Sequence, residues 1–257
     1  MSRVLVTGST QGLGLMVGAL LAEQGHSVVL HARNEERAQV ARAEVPTAEA
    51  VLVGDLASLE GMHDVARQAN ASGRFDAVVH NAGVGFTGPR ITTVDGLSQV
   101  FAVNILAAYV LTAEIERPDR LIYLGSTMHL SGSAALDDAQ WTARPWQPAA
   151  AYSDSKLLDI ALAFAVARLW PDVHSNAVAP GWVATQLGGQ LASDDLSLGP
   201  VTQAWLATSD DPLALVSGQY LYHQEPTQVS DLAHDVGVQD ALLDYCFRLS
   251  GVELTGP

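Results

Sequence analysis

The sequence predicts an α/β protein built on a parallel sheet with helices on both faces. Short β-branched runs alternate with longer amphipathic ones along the 257 residues, and strand–helix alternation is the signature of a parallel sheet. Runs such as Ser-Val-Val-Leu-His at 27–31 and Asp-Ala-Val-Val-His at 76–80 lack an in/out alternation, as expected of strands buried on both faces. A hydrophobic content of 48% suits one large core, so the chain is expected to form a single domain over 1–257.

In chain order, strands are expected near 3–7, 27–32, 50–53, 76–80, 120–126, 173–179 and 218–222, about seven in all. Helices are expected near 12–24, 34–43, 58–71, 95–116, 152–169 and 199–208, with a closing helix after a polar tail at 225–230. Segments 127–151 and 182–198 break the alternation with Gly, Pro, Trp and paired Asp. They are expected to be long loops or small helices next to a substrate, because long loops in compact domains usually serve function.

Composition excludes several classes of function. With 28 acidic against 13 basic residues the net charge is −15, and no basic stripe is present, which argues against nucleic acid as a partner. The longest apolar stretch, near Leu157 to Trp170, is interrupted by Asp159 and Arg168 and is too short to span a bilayer, so no membrane insertion is expected. The lone Cys246 forms no internal disulfide, and Met1 leads directly into a strand-like run; a cytoplasmic location is expected. No His/Cys/Asp spacing argues for a metal.

The first strand runs into Thr-Gly-Ser-Thr-Gln-Gly-Leu-Gly, placing Gly8, Gly12 and Gly14 where a strand turns into a helix. Glycines there permit the turn and let backbone N–H groups approach a pyrophosphate at the helix N-terminus. The second strand ends in Ala32 and Arg33, where an acidic residue would hydrogen-bond a free ribose 2′-hydroxyl. Arg33 instead offers a guanidinium suited to a 2′-phosphate, with Arg37 one turn on, so NADP(H) is expected over NAD(H). The alternative is a surface pair between Arg33 and Glu35 or Glu36.

Lys156 is the only lysine in the chain, and it follows Tyr152 by four positions. On a helix that spacing puts the two side chains on one face, with Cβ atoms roughly 5–6 Å apart. A phenol titrates near 10 in water, so exchanging protons near neutrality needs a drop of about 3 pH units, or ~4 kcal/mol. One positive charge about 4 Å away at an effective dielectric near 20 supplies roughly that much. Asn104 lies in an otherwise apolar helical run, so its amide must find hydrogen-bond partners inside, and it could instead tie two strands together.

Thr-Gly-Ser-Thr-Gln-Gly-Leu-Gly at 7–14, Asp55-Leu56, Asn81-Ala82-Gly83, Asn104, Ser126, Tyr-Ser-Asp-Ser-Lys at 152–156 and Pro-Gly-Trp-Val-Ala-Thr at 180–185 together resemble the short-chain dehydrogenase/reductase family, in order and over nearly the whole chain. The resemblance implies a Rossmann-type, doubly wound sheet and hydride transfer between a nicotinamide and a carbonyl or alcohol. It implies Tyr152 as acid/base and Lys156 as the cation that tunes it and holds the nicotinamide ribose. Ser126 would hydrogen-bond the substrate oxygen, and Asn104 would bind a water linking Lys156 to solvent. The cofactor-binding set is Thr7, Gly8, Gln11, Gly12, Leu13, Gly14, Arg33, Asp55, Leu56, Asn81, Ala82, Gly83, Tyr152, Lys156, Pro180, Gly181, Val183 and Thr185. Asp55 would accept from the adenine amino group, or cap the next helix, or both. Many NADP-preferring relatives carry a basic residue just before the second glycine, where this chain has Gln11.

Ser126 precedes Tyr152 by 26 residues, a longer spacing than in most relatives, which resembles retinol-dehydrogenase-like and ketoreductase members. The intervening Met128, His129, Leu136, Trp141 and Trp146, with Trp182, Leu187 and Leu191, could line a broad apolar pocket or pack the insertion onto the sheet. The runs around Asn104 and after Lys156 are apolar nearly all round, where a surface helix would show a polar face. Their outer faces are covered either by this chain or by a second subunit, and the resemblance favours a homodimer through them. The expected activity is reduction of a ketone or aldehyde, or oxidation of the alcohol, on a bulky apolar small molecule. A non-catalytic NADP(H) sensor and a sugar-nucleotide epimerase or dehydratase are the alternatives.

Overall fold

The computed structural model describes residues 1–185, 189 and 191–256. Among them, the strands are β1 (Arg3–Val6), β2 (Ser27–Ala32), β3 (Ala50–Val53), β4 (Ala77–His80), β5 (Arg120–Leu124), β6 (His174–Ala179), β7 (Tyr220–Tyr222) and β8 (Glu225–Pro226). They form one sheet in the order β3-β2-β1-β4-β5-β6-β7-β8. All neighbours are parallel except β7 and β8. The two-residue β8, inside the expected polar tail, raises the strand number from seven to eight. A pair that short, one member of it Pro226, leaves no period-2 pattern to read.

Connections from β1 run outward to β2 and β3 on one side and to β4 and beyond on the other. In an open α/β sheet this reversal opens a crevice at the carboxyl ends of the strands, and both central junctions end there, β1 at Val6 and β4 at His80. One face carries α1 (Gly12–Glu23), α2 (Glu35–Glu44) and α7 (Val201–Thr208), whose Val17, Leu21, Ala38 and Leu206 pack on Val4, Val28 and Ile122. The other carries α3 (Leu59–Ala71), α4 (Gln99–Phe101), α5 (Ala107–Glu114) and α6 (Pro148–Leu169), centred on Met62, Phe101, Leu106, Leu157 and Tyr123.

Local chemistry sets the helix ends. Asn34 and Ser58 cap α2 and α3 by accepting from Arg37 and Gly61 backbone N–H groups, as N-cap side chains do. Pro148 opens α6, four residues earlier than expected, in the helix position where its missing N–H is harmless. The helix expected over 95–116 spans 99–114, and its middle, Ala102–Leu106, is a π-helical turn around Asn104. Such turns are rare and concentrate at functional sites.

The all-round apolar character of α6 has an intrachain cause. Sixteen of its 22 residues are buried, with α8 (Asp231–His234) and α9 (Val236–Ser250) packed against it. Phe164 stacks on His234, Arg168 reaches Gln239 and Asp240, Tyr109 of α5 donates to Val252 O, and the Trp170 indole donates to Thr255 O. Of the two covers left open by the sequence, the structure supplies the internal one. Among the described residues no helix is long and apolar enough to cross a membrane.

Candidate active site

The glycine turn after β1 is shaped by close backbone approach. Gly8 has φ +62°, and a Cβ there would lie 2.8 Å from Ala82 Cα. A Cβ on Gly14 would sit 2.3 Å from Asn81 Nδ2. Thr7 lies behind this turn: its buried hydroxyl accepts from the N–H groups of Asn81 and Ala82, both at 3.0 Å. Asn81 Nδ2 donates to Thr7 O at 2.9 Å and Gly8 O at 3.2 Å. The 7–14 and 81–83 segments are thus laced together.

They line a cavity of about 380 Å³ at the carboxyl edge of the sheet. Gly8, Gln11, Gly12, Leu13 and Gly14 line it on one side, Asn81, Ala82 and Gly83 on another, and Asp55 and Leu56 close the end beyond β3. Asp55 also accepts from Ala57 N at 3.0 Å, so it shapes its own turn as well. Arg33 and Arg37 stand at the rim. Arg33 makes no hydrogen bond or ion pair among the described residues, while Glu35 pairs with Arg42 at 2.6 Å; the surface pairing considered for Arg33 does not occur. Arg37 donates to Gln11 Oε1 at 3.2 Å.

Tyr152 and Lys156, 6% and 3% exposed, line the same cavity beside Gly83, where a Cβ would lie 3.8 Å from Lys156 Nζ. Lys156 Nζ lies 5.8 Å from the Tyr152 ring centroid, donates to Leu124 O, and faces Asp159 Oδ2 at 3.6 Å. Burial pushes the Asp159 carboxyl up to about 7 against the opposing pull of Lys156. Asn104 accepts from Val84 N at 2.8 Å and donates to Ser155 Oγ at 3.0 Å and Val84 O at 3.2 Å. It therefore joins the turn after β4 to α6, rather than two strands to each other.

A second cavity, of about 730 Å³, lies on the far side of Tyr152. Tyr152, Leu13, Leu124 and Thr185 border both cavities. Ser126 lines the larger one and, as the cap of a short 3₁₀ turn at Thr127–Ser131, accepts from Met128 N at 3.3 Å. Pro180, Gly181 and Val183 line the same cavity and not the smaller one. Phe86 meets Tyr152 edge-on, ring centroids 5.5 Å apart.

Among the aromatic and apolar residues considered for the pocket, Met128 and Trp182 line it. Trp141 is buried under the Arg144 guanidinium, 3.6 Å from its ring, and Trp146 donates to Gly88 O at 3.0 Å. These two tryptophans, with Leu136, pack the insertion onto the body of the protein. Leu191 is exposed and His129 fully buried, and neither borders the cavity; Leu187 lies outside the described residues. Among the described residues no cluster of His, Cys, Asp or Glu could hold a metal.

Three contributors escaped the sequence reading. His31, within β2, accepts from Gly8 N at 2.9 Å and meets Gly54 O at 2.9 Å through its other nitrogen, tethering the glycine turn to the end of β3; burial lowers its pKa. Asp194 holds the later loop by accepting from Trp182 N at 2.7 Å and Tyr222 OH at 3.3 Å. Asp159 is the third. A polar residue inside an apolar strand or helix was the available signal for His31 and Asp159.

A strand-to-helix glycine turn and a buried Tyr–Lys pair thus line one crevice, the candidate site of a nucleotide-dependent oxidoreductase. The sequence matches the short chain dehydrogenase family over residues 2–196. It is 40% identical to an uncharacterised oxidoreductase of Emericella nidulans, with all of both chains covered. It is also 32% identical to retinol dehydrogenase 13 of Mus musculus over 85% of this chain and 70% of that one. An uncharacterised protein from Mycobacterium paratuberculosis, 25% identical, superposes with a TM-score of 0.84 over 98% of this chain and 94% of its own. The chain belongs to the short-chain dehydrogenase/reductase family, as a retinol-dehydrogenase- and ketoreductase-like member, and is an oxidoreductase acting on CH–OH and C=O groups.

Proposed function

We propose that this protein is a cytoplasmic, NADP(H)-dependent enzyme, one domain throughout, that interconverts a ketone or aldehyde and its alcohol on a bulky, largely apolar small molecule. The observation that carries this reading is the position of Tyr152 on the wall common to both cavities. Tyr152 would thus be accessible to a dinucleotide held by the glycine turn in the smaller cavity and to a substrate in the larger one. The residues fit the cofactor: the cradle at Gly8 and Gly14 has no room for a Cβ, and α1 aims its N-terminal N–H groups at the place of a pyrophosphate. Thr7, Gln11, Gly12, Leu13, Asp55, Leu56, Asn81, Ala82 and Gly83 complete that half. Pro180, Gly181, Val183 and Thr185 stand where the nicotinamide end meets the substrate. The unengaged guanidinium of Arg33 supports NADP(H), since it suits a 2′-phosphate.

The nicotinamide supplies or accepts the hydride when bound. Tyr152 gives its phenolic proton to the carbonyl oxygen in reduction and takes one from the hydroxyl in oxidation. The Lys156 ammonium stabilises charge on the phenolic oxygen during that transfer and would donate to the ribose hydroxyls of the bound cofactor. Ser126 hydrogen-bonds the substrate oxygen. Asn104, whose amide is engaged by Val84 and Ser155, acts by fixing the backbone around Lys156.

The mostly apolar wall formed by Leu13, Phe86, Met128, Leu130 and Trp182 supports a bulky apolar substrate, in line with a relative named for retinol. The buried free thiol of Cys246 suits a reducing compartment. Because α8 and α9 occupy the outer face of α6, a homo-oligomer would join through another surface, and light scattering at micromolar concentration reads its state. The test of the activity is NADPH consumption with a panel of apolar ketones and aldehydes, using the wild type and Tyr152→Phe. Expected is turnover that Tyr152→Phe lowers by about 10²- to 10⁴-fold while NADPH still binds. Full turnover by that variant overturns the assignment.

A further inference from the structure

We propose that His129 is a positioning residue for Ser126 and that the C-terminal segment takes part in active-site geometry through it. This rests on the reading that Ser126 contacts the substrate oxygen. His129 is fully buried, three residues after Ser126. Its Nδ1 lies 2.6 Å from Ser126 O, and its backbone N–H donates to the same oxygen at 3.1 Å. Its Nε2 accepts from Ser230 N at 3.2 Å.

Those partners determine the tautomer. A carbonyl only accepts and a backbone N–H only donates, so Nδ1 carries the proton and Nε2 carries the lone pair. The neutral ring thus has one task at each nitrogen, and burial, which lowers its pKa, favours the same form. Tyr220 closes the remaining side with its ring edge-on at 4.8 Å, and the same ring lies so near Gly125 that a Cβ there would be 2.9 Å from Cε2. The backbone on both sides of the Ser126 side chain is therefore held, by Tyr220 before it and by His129 after it. Among the described residues the serine hydroxyl takes part in one hydrogen bond, accepting from Met128 N at 3.3 Å, so its direction depends on how firmly the turn is fixed.

Ser230 lies beyond residues 2–196, the part matched to the family. It also caps α8 by accepting from Leu232 N, and α8 packs on α6, the helix of Tyr152 and Lys156. One imidazole thus ties the serine turn to the cover of the tyrosine–lysine helix, so that the two halves of the catalytic group keep a common reference. Displacing a catalytic group by even 1 Å can lower turnover by about 100-fold.

The experiment measures kcat for carbonyl reduction, the NADPH dissociation constant and the melting temperature for His129→Phe, His129→Asn and Ser126→Ala, and for His129→Phe combined with Ser126→Ala. Expected is a loss of about tenfold or more in kcat for His129→Phe with NADPH affinity unchanged. His129→Asn, whose carboxamide nitrogen can replace Nδ1, should recover most of it. In the Ser126→Ala background His129→Phe should cost nothing further, since contacts in series are non-additive. Wild-type kcat in His129→Phe, or the same loss with and without Ser126, overturns the proposal. A fully active Ser126→Ala instead overturns the reading of Ser126 on which it rests. Should His129→Phe fold poorly, Ser230→Pro removes the donor to Nε2 at a residue whose φ of −65° suits proline, and it is expected to lower kcat in the same direction; an unchanged kcat there counts equally against the proposal.

Discussion

Lys156 and Asp159 form a buried ion pair one turn apart on α6, with Nζ and Oδ2 separated by 3.6 Å and both side chains under 5% exposed. Removing two charges from water is expensive, and their attraction repays it only partly. The carboxyl records that balance: burial raises it from 3.8 to about 7 although Lys156 pulls the other way.

This gives a pH dependence with a defined sign. Between 3.8 and about 7 the folded chain keeps a proton at Asp159 that the unfolded chain has released. Stability contributed by this position therefore falls as pH rises through that window. Urea unfolding of the wild type and Asp159→Asn should show the wild type losing ground to the variant from about pH 4 to about pH 7 and no further change above it. A difference between the two that is constant with pH would show that burial does not govern this carboxyl.

Gly14→Ala tests the lacing of the glycine turn. The new methyl would meet Asn81 Nδ2 at 2.3 Å and Gly8 O at 2.5 Å, and Asn81 is itself bonded to Thr7 and Gly8. Overpacking of this kind costs about 1–3 kcal/mol. We expect a lower melting temperature and weaker NADPH binding together, read by thermal unfolding and fluorescence titration. Unchanged cofactor affinity would mean that the turn tolerates the shift.

Arg33→Ala tests cofactor choice. A charged hydrogen-bonding group on a 2′-phosphate contributes about 1.5–3 kcal/mol, so the NADPH-over-NADH preference should fall by about 10- to 100-fold. Affinity for NADH should stay near its wild-type value. An unaltered ratio of dissociation constants would move the 2′-phosphate to another group, with Arg37 at the same rim the next to substitute.

Asn104→Ala leaves Val84 N without its acceptor and Ser155 Oγ without its donor. Loss of a buried partner costs about 1–3 kcal/mol, so urea unfolding should register a drop of that order. If Asn104 fixes the backbone around Lys156, kcat should fall as well, beyond what the same destabilisation produces at a remote core position such as Leu242→Ala in α9.

Much of the fold and of the candidate site was legible because the relevant relationships are local. Strand–helix alternation is written in consecutive residues, and Tyr152 and Lys156 share a face because a helix repeats every 3.6 residues. Gly8 and Gly14 could be read at a strand–helix junction, although their reason, contact with Ala82 and Asn81, lies more than sixty positions away. Trp141 and Trp146 show the opposite case. Their size argued equally for pocket wall and for packing, and only the position of Arg144 and Gly88 O decides for packing. The apolar face of α6 called for a cover without saying whether it came from this chain.

The sequence by itself determined the element order, the parallel sheet and the residues that meet through short-range geometry: the glycine turn, the tyrosine–lysine pair and an arginine at the end of the second strand. Tertiary structure alone decided that Tyr152 divides two cavities, that the Lys156–Asp159 pair is buried, and that Ser230 reaches His129 across 101 positions. The reason is physical. Dihedral preferences and hydrophobic periodicity act between neighbours in the chain, whereas charge pairing, desolvation and hydrogen bonding depend on distances in space, which exist only after the sheet and its covering helices have packed.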